Sequence, residues 1–112
     1  MIKTLRDHRR APTHPGAILR EDVLPALRMS QQAFAERLGV SRVTVNTLLQ
    51  ERRDLSIELA ARIAKLLGHT PESWIRMQEA LDLWRIAQDP STRRYHAAAA
   101  RSIRRVRPRV AA

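Results

Sequence analysis

SQQAFAERLGVSRVTVNTLLQ, residues 30–50, predicts two short helices joined by a tight turn. Ser30 and Ser41 are good N-cap residues, and Gly39 supplies the left-handed conformation that commonly ends a helix. Ala35 is small enough for the backbone of the second helix to pass close to it. The spacing therefore predicts a helix-turn-helix, in which two helices cross steeply over a shared core. The core residues predicted for this unit are Phe34, Leu38, Val40, Val45 and Leu48.

The outer face of the second helix is predicted to carry Arg42, Val43, Thr44, Asn46 and Thr47. These residue types suit the major groove of DNA, because arginine can grip guanine, asparagine can grip adenine, and valine or threonine can contact a thymine methyl group. The alternative is an ordinary helical hairpin without a binding function, in which this face is only exposed to solvent. The mixture of polar and apolar types on the face favours DNA binding.

Three further helices are predicted around this unit. The first begins at Pro15 and is expected to end near Leu24, because Pro25 cannot donate a backbone hydrogen bond. Ser56 caps a helix that runs to Leu67. Thr70 is the predicted N-cap of a last helix, with Pro71 at its first position, and this helix is expected from Pro71 to Gln88. No segment shows the alternation of a strand, so the predicted fold is all-α with five helices.

Charge is concentrated at the ends of the 112-residue chain. The net charge is +10, of which residues 1–14 carry +3, residues 15–88 carry +1 and residues 89–112 carry +6. We expect a flexible N-terminal arm over 1–14, one domain over 15–88 and a basic C-terminal tail over 89–112. Basic tails suit a polyanion such as nucleic acid, and they equally suit solubility.

Several classes of protein do not fit the sequence. The absence of cysteine excludes disulfides, thiolate zinc sites and a cysteine nucleophile. The four histidines are scattered, and no glycine-rich phosphate loop is present, so we expect no metal, no cofactor and no enzyme activity. No apolar run is long enough to cross a membrane, and no secretory segment opens the chain, so a cytoplasmic protein is expected.

The last predicted helix has two apolar faces. Trp74, Met77, Leu81 and Trp84 follow a spacing of three, four and three residues, which resembles a coiled-coil stripe. A second face carries Ile75, Leu83 and Ile86, more apolar surface than one core-facing stripe needs. One interpretation is a helix well buried within its own domain. The other is that one face packs inward and the second face contacts a second subunit, as a dimer interface, or a partner protein.

Residues 14–84 resemble the HigA-type antitoxins, a branch of the Xre, or lambda-repressor-like, helix-turn-helix superfamily. The segments that carry the resemblance are HPGAILRED, SQQAFAERLGVSRVTV and TPESWIRMQEALDLW. The resemblance covers 71 of the 112 residues and excludes both ends. It implies a five-helix lambda-repressor-like domain that forms a homodimer, binds double-stranded operator DNA, represses its own operon and neutralises a HigB/RelE-like mRNA endonuclease toxin.

The resemblance also implies roles for single residues. Gln31, which opens the second helix, matches a position that usually contacts phosphate. The segment after the recognition helix usually reads Asn-Gly-Lys/Arg and touches the DNA backbone, whereas here it reads Gln50-Glu51-Arg52-Arg53. Glu51 stands in place of glycine, so this turn is expected to differ. Arg52 and Arg53 remain good phosphate ligands on charge grounds.

Two other functions stay open at this point. A stand-alone Xre-type transcriptional regulator without a toxin would have the same domain. A small RNA-binding protein that uses its arginine-rich tails is a third hypothesis.

Overall fold

The computed structural model describes residues 9–91, and within that range the fold is all-α with five helices and no strand, as predicted. We number the helices α1 to α5. Helix α1 spans residues 15–27 in three parts, namely Pro15–Ile18, a π-helical turn over Leu19–Val23, and Leu24–Leu27. The others are α2 (Gln31–Leu38), α3 (Arg42–Leu49), α4 (Ile57–Leu67) and α5 (Glu72–Gln88). Helices α2 and α3 form the predicted helix-turn-helix.

Serine side chains begin three of the helices, as predicted. The Oγ atoms of Ser30, Ser41 and Ser56 each accept a hydrogen bond at 3.1 Å from the backbone N–H three residues further on. Gly39 and Gly68 end α2 and α4 with φ angles of 72° and 79°. Because residues that carry a side chain rarely adopt such φ angles, these two positions favour glycine.

Helix α1 does not end near Leu24, so that prediction was wrong. The chain continues through Pro25 to Leu27 because a wider turn precedes the proline, where the Leu24 N–H donates to the Leu19 carbonyl five residues back. Such a π turn accommodates a residue that lacks an N–H and whose ring crowds the preceding turn. The extra residue rotates the apolar face, so that Leu19 and Leu24 are buried while Leu27 is 39% exposed.

Helix α5 also begins differently from the prediction. Pro71 occupies the N-cap position, where its carbonyl accepts the Ile75 N–H at 3.0 Å, and no side chain caps this end. Thr70 is therefore not the cap. On the inner side of α5, Trp74 is buried and donates its Nε1–H to Nε2 of His69 at 2.7 Å.

One hydrophobic core joins the helix-turn-helix to α1, α4 and α5. The largest side chains with less than 2% exposure include Phe34, Leu19, Leu48, Ile63 and Val45. Four of the five predicted core residues of the helix-turn-helix are buried, whereas Val40 is partly buried at the edge of the core. The hydrophobic core of the unit thus lies between α2 and α3.

The start of α1 packs directly on the end of α3. Gly16 is buried there, and a Cβ atom added to it would lie 1.9 Å from the carbonyl oxygen of Leu48. Nδ1 of His14 caps α1 by accepting the Gly16 N–H at 2.9 Å. One turn later, Nη1 of Arg20 donates to the carbonyl of Leu49 at 2.6 Å. Helix α1 therefore fixes the C-terminal end of α3.

The predicted flexible arm over 1–14 is too long. Pro12 and His14 are buried against the domain, so the packed part of the chain begins before Pro15. Burial lowers the pKa of His14 below 6.5, and its Nε2 makes no hydrogen bond within the described range. Residues 1–8 and 92–112, which hold most of the predicted arm and tail, lie outside the described residues.

We expect Gly16→Ala to lower the free energy of unfolding by about 3 kcal/mol or more, because the added methyl group overlaps the backbone of α3. Gly68→Ala is the matched control. No atom lies within 4 Å of its added Cβ, and only the left-handed φ is unfavourable, so about 1–2 kcal/mol is expected. Urea titrations of the two variants measure the difference. Equal losses would contradict the close contact between α1 and α3.

The buried His14 makes stability depend on pH. The unfolded chain takes up a proton at this side chain near pH 6.5, whereas the folded chain stays neutral to a lower pH. The free energy of unfolding therefore falls as the pH drops below about 6.5. His14→Asn keeps an acceptor for the Gly16 N–H but does not titrate. Its melting temperature is expected to fall less than that of the wild type between about pH 7.5 and 5.5; identical pH profiles would contradict the assignment.

Candidate DNA-binding surface

The outer face of α3 carries the five side chains that the sequence assigned to it. Arg42 and Val43 are exposed, Val43 by 66%. Thr44, Asn46 and Thr47 are half-buried. The Ser41 cap places Arg42 in the first turn of the helix, and the Ser41 and Thr44 hydroxyl oxygens lie 2.9 Å apart. The structure thus gathers these residues on one side of a short, capped helix.

A side-chain hydrogen bond joins this face to the start of α2. Nδ2 of Asn46 donates to Oε1 of Gln31 at 2.9 Å, across fifteen positions of sequence. This contact leaves the amide group of Gln31 as a donor and Oδ1 of Asn46 as an acceptor. Gln31 therefore lies beside the outer face of α3. The resemblance implied a phosphate contact for this residue.

The turn after α3 keeps the geometry that a glycine would favour. Glu51 has a φ of 62°, its N–H donates to the Leu48 carbonyl at 3.0 Å, and the Arg52 N–H donates to the Thr47 carbonyl at 2.9 Å. These two bonds form a Schellman motif. The expectation that Glu51 changes this turn was therefore wrong. The backbone of Glu51 adopts the left-handed conformation, although residues other than glycine rarely do so.

Two exposed arginines follow this turn. Arg52 lies directly after Glu51, and Nε of Arg53 donates to Oγ1 of Thr47 at 3.1 Å. The Thr47 hydroxyl in turn donates to the Val43 carbonyl at 2.7 Å. Arg53 is thereby held beside the outer face of α3, where its remaining guanidinium N–H groups can serve as phosphate donors.

Arg20 is a feature of this surface that sequence reasoning missed. Its Nη2 donates to Glu21 at 2.7 Å, and its Nη1 lies 3.1 Å from Oε2 of Glu51 in addition to bonding the Leu49 carbonyl. These hydrogen bonds, first that of Glu21 and then that of Glu51, raise the pKa of Arg20. No periodic pattern marks the pair, because its partners lie 31 positions apart in sequence.

A recess of about 470 Å³ lies between the end of α1, the start of α2 and the end of α3. Arg20, Arg28 and Gln31 line it together with apolar side chains that include Leu24 and Leu49. Arg28 is exposed and ends α1 with a left-handed φ of 53°. Cations therefore border both the recess and the outer face of α3, which makes this side of the molecule suited to a polyanion.

The three residues predicted for a dimer interface do not share one environment. Ile75 is half-buried and packs against the core, whereas Leu83 and Ile86 are 67% and 49% exposed. The opposite side of α5 is fixed inward, since Oε1 of Gln78 accepts the Leu55 N–H at 2.8 Å and Nη1 of Arg85 lies 2.7 Å from Asp54. Helix α5 is therefore not buried all round, and its exposed apolar patch consists of Leu83 and Ile86.

Two other kinds of site receive no support within residues 9–91. No group of three or more His, Asp or Glu side chains there is placed to hold a metal ion. None of the helices described there is both long and apolar enough to cross a membrane.

Comparison with known proteins gives consistent similarities. A model of the Helix-turn-helix family (HTH_3) matches residues 19–75. The chain is 37% identical over 83 residues to the uncharacterized HTH-type transcriptional regulator YbaQ of Escherichia coli, covering 74% of each chain. It is 36% identical over 80 residues to antitoxin HigA-1 of Vibrio cholerae, covering 71% of this chain and 75% of that one. The solved structure of antitoxin GraA in complex with its operator is 34% identical, with a TM-score of 0.69 over 94% of this chain and 100% of that one.

Proposed function

Because this chain belongs to the Xre-type helix-turn-helix family, we propose that it is an antitoxin that binds operator DNA as a dimer and represses its own operon. The observation that carries the proposal is the outer face of α3, where Arg42 and Val43 are exposed beside Asn46 and its partner Gln31. The similarity to GraA, which has been solved in complex with its operator, supports operator binding.

In the proposed complex, α3 lies in the major groove and its first turns meet the base edges. Arg42 suits the two acceptors of guanine, Asn46 suits adenine, and the methyl groups of Val43 and the threonines suit thymine. The Gln31 amide and the Arg52 and Arg53 guanidinium groups contact the phosphates on either side. These phosphate contacts fix the register of the protein and carry no sequence information of their own.

A dimer follows from the geometry of two-fold operators. Half-sites that present the same groove face lie about 34 Å apart, further than one recognition helix reaches. We assign the contact between subunits to the exposed patch of Leu83 and Ile86 and leave Ile75 to the core. Two apolar side chains are a small interface, so we expect the dimer to form more strongly on the operator than in free solution.

The second activity of an antitoxin is to bind its toxin. The similarity to HigA-1 supports a partner of the HigB/RelE type, masked by direct protein contact. The competing hypothesis is a transcriptional regulator without a toxin, which the similarity to YbaQ favours. A short basic reading frame directly beside the gene distinguishes the two, because only the antitoxin needs a co-expressed partner.

Arg42→Ala is expected to weaken operator binding by about 1–3 kcal/mol and to relax discrimination at one base pair. The fold is expected to persist because the side chain is exposed. Gel shifts with a duplex from upstream of the gene, and with a scrambled duplex, measure both effects. Arg37→Ala, which removes an exposed arginine from α2, is the matched control. Equal losses in the two variants would contradict direct readout by Arg42.

Leu83→Glu is expected to weaken operator binding and to remove any dimer seen by light scattering, because a charge replaces the centre of the exposed patch on α5. The free energy of unfolding, obtained from thermal melting, is expected to stay within about 0.5 kcal/mol of the wild-type value, as for other exposed positions. Ile57→Glu is the control, since Ile57 is 72% exposed on α4. A variant that binds the operator as cooperatively as the wild type would place the interface elsewhere.

A further inference from the structure

Glu51 is an unfavourable residue at its position for two reasons. Its φ of 62° is the left-handed conformation that glycine adopts freely and that other residues adopt rarely. It also places a carboxylate directly before Arg52 and Arg53, on the side of the molecule that the proposed function turns toward DNA. Glu51 is therefore unfavourable for the backbone conformation and for binding a polyanion, which indicates that its side chain has a role.

That role is found in the contact with Arg20. The guanidinium of Arg20 lies 3.1 Å from the Glu51 carboxylate and 2.7 Å from that of Glu21. One cation is therefore shared by two anions, and the triad carries a net negative charge. All three side chains are between 41% and 65% exposed, so the triad is accessible to solvent and to a ligand.

The triad borders groups that suit phosphate. Arg20 lines the same recess of about 470 Å³ as Arg28 and Gln31, at the start of α2. Without its two carboxylates, Arg20 would keep its bond to the Leu49 carbonyl and would offer its remaining guanidinium N–H groups to an anion in this recess. With them, Nη1 and Nη2 are both already paired.

We propose that Glu51, together with Glu21, is an internal competitor for DNA phosphate. Glu51 pairs with Nη1 of Arg20 and Glu21 with Nη2, and this pairing limits the affinity of the protein for any duplex. The inference rests on the proposed function. Contacts to phosphate act nearly uniformly on all sequences, so Glu51 sets the absolute affinity and leaves the ratio of operator to random binding unchanged. Readout of the bases stays with the outer face of α3.

A purely structural role for Glu51 is separable from this one. The turn is held by backbone bonds from Glu51 to Leu48 and from Arg52 to Thr47, which need no carboxylate. Arg20 remains tethered to the Leu49 carbonyl at 2.6 Å when Glu51 is removed. Two substitutions therefore test the charge without removing the turn: Glu51→Gly, which suits the left-handed φ, and Glu51→Gln, which keeps the side-chain length.

The experiment measures binding of the full chain to a labelled scrambled duplex and to the upstream duplex, by fluorescence anisotropy over a salt series. Both variants leave Glu21 on Nη2 of Arg20 and free one N–H of Nη1 for a phosphate. They are expected to bind both duplexes about five- to tenfold more tightly at about 100 mM salt, with the log–log salt slope steeper by about 0.9 for one more phosphate neutralised. The control is Glu36→Gln, the same charge change at an exposed position near the C-terminal end of α2, where no such gain is expected.

The outcomes separate the inference from the proposed function. Unchanged affinity and slope in folded Glu51 variants, or a gain equal to that of Glu36→Gln, would overturn the role of Glu51 while operator binding by the wild type stands. Weaker binding would also overturn it, since Glu51 would then position Arg20 or the turn for DNA. A wild type that binds neither duplex would overturn the proposed function together with this inference.

Discussion

The backbone contact between Gly16 and the Leu48 carbonyl is the constraint on which the rest of the structure depends. A Cβ atom at residue 16 would lie 1.9 Å from that oxygen, so only glycine lets α1 approach this closely. The contact brings Arg20 to the Leu49 carbonyl, and His14 caps the same end of α1. Helix α3 has only eight residues, and such a short helix gains its stability from tertiary packing rather than from its own helix propensity. Helix α1 supplies that packing at the C-terminal end of α3, away from Arg42 and Val43 in its first turn.

Holding α3 at its C-terminal end has a consequence for DNA recognition. The first turn, with Arg42 and Val43, stays exposed, while hydrogen bonds from Asn46 to Gln31 and from Arg53 to Thr47 order the polar side chains around it. Side chains that are ordered before binding lose less conformational entropy on binding. Glu51 belongs to the same arrangement. Its backbone has a left-handed φ, and its carboxylate pairs with Arg20, which also bonds the Leu49 carbonyl at this end of α3.

The sequence predicts what local rules control. Serine caps, glycine stops and apolar spacing locate α2, α3 and α4, and the outer face of α3 follows from them. The end of the first helix escaped prediction because proline-adapted π turns depend on packing around Leu19 and Leu24, which no periodicity rule encodes. The Arg20–Glu51 pair escaped it because contacts between distant positions leave no spacing signal. The buried His14 belongs to the same class, since its cap is local but its burial is tertiary.

The central claim is that the outer face of α3 reads DNA, and an NMR titration tests it most directly. The isotope-labelled full chain is titrated with the duplex from upstream of its gene, while the side-chain N–H signals of Arg42 and Asn46 and the methyl signals of Val43 are followed. We expect large shifts and intermolecular nuclear Overhauser effects between these groups and base protons of the major groove. Shifts confined to α4 and α5, or no shifts at all with saturating duplex, would contradict it.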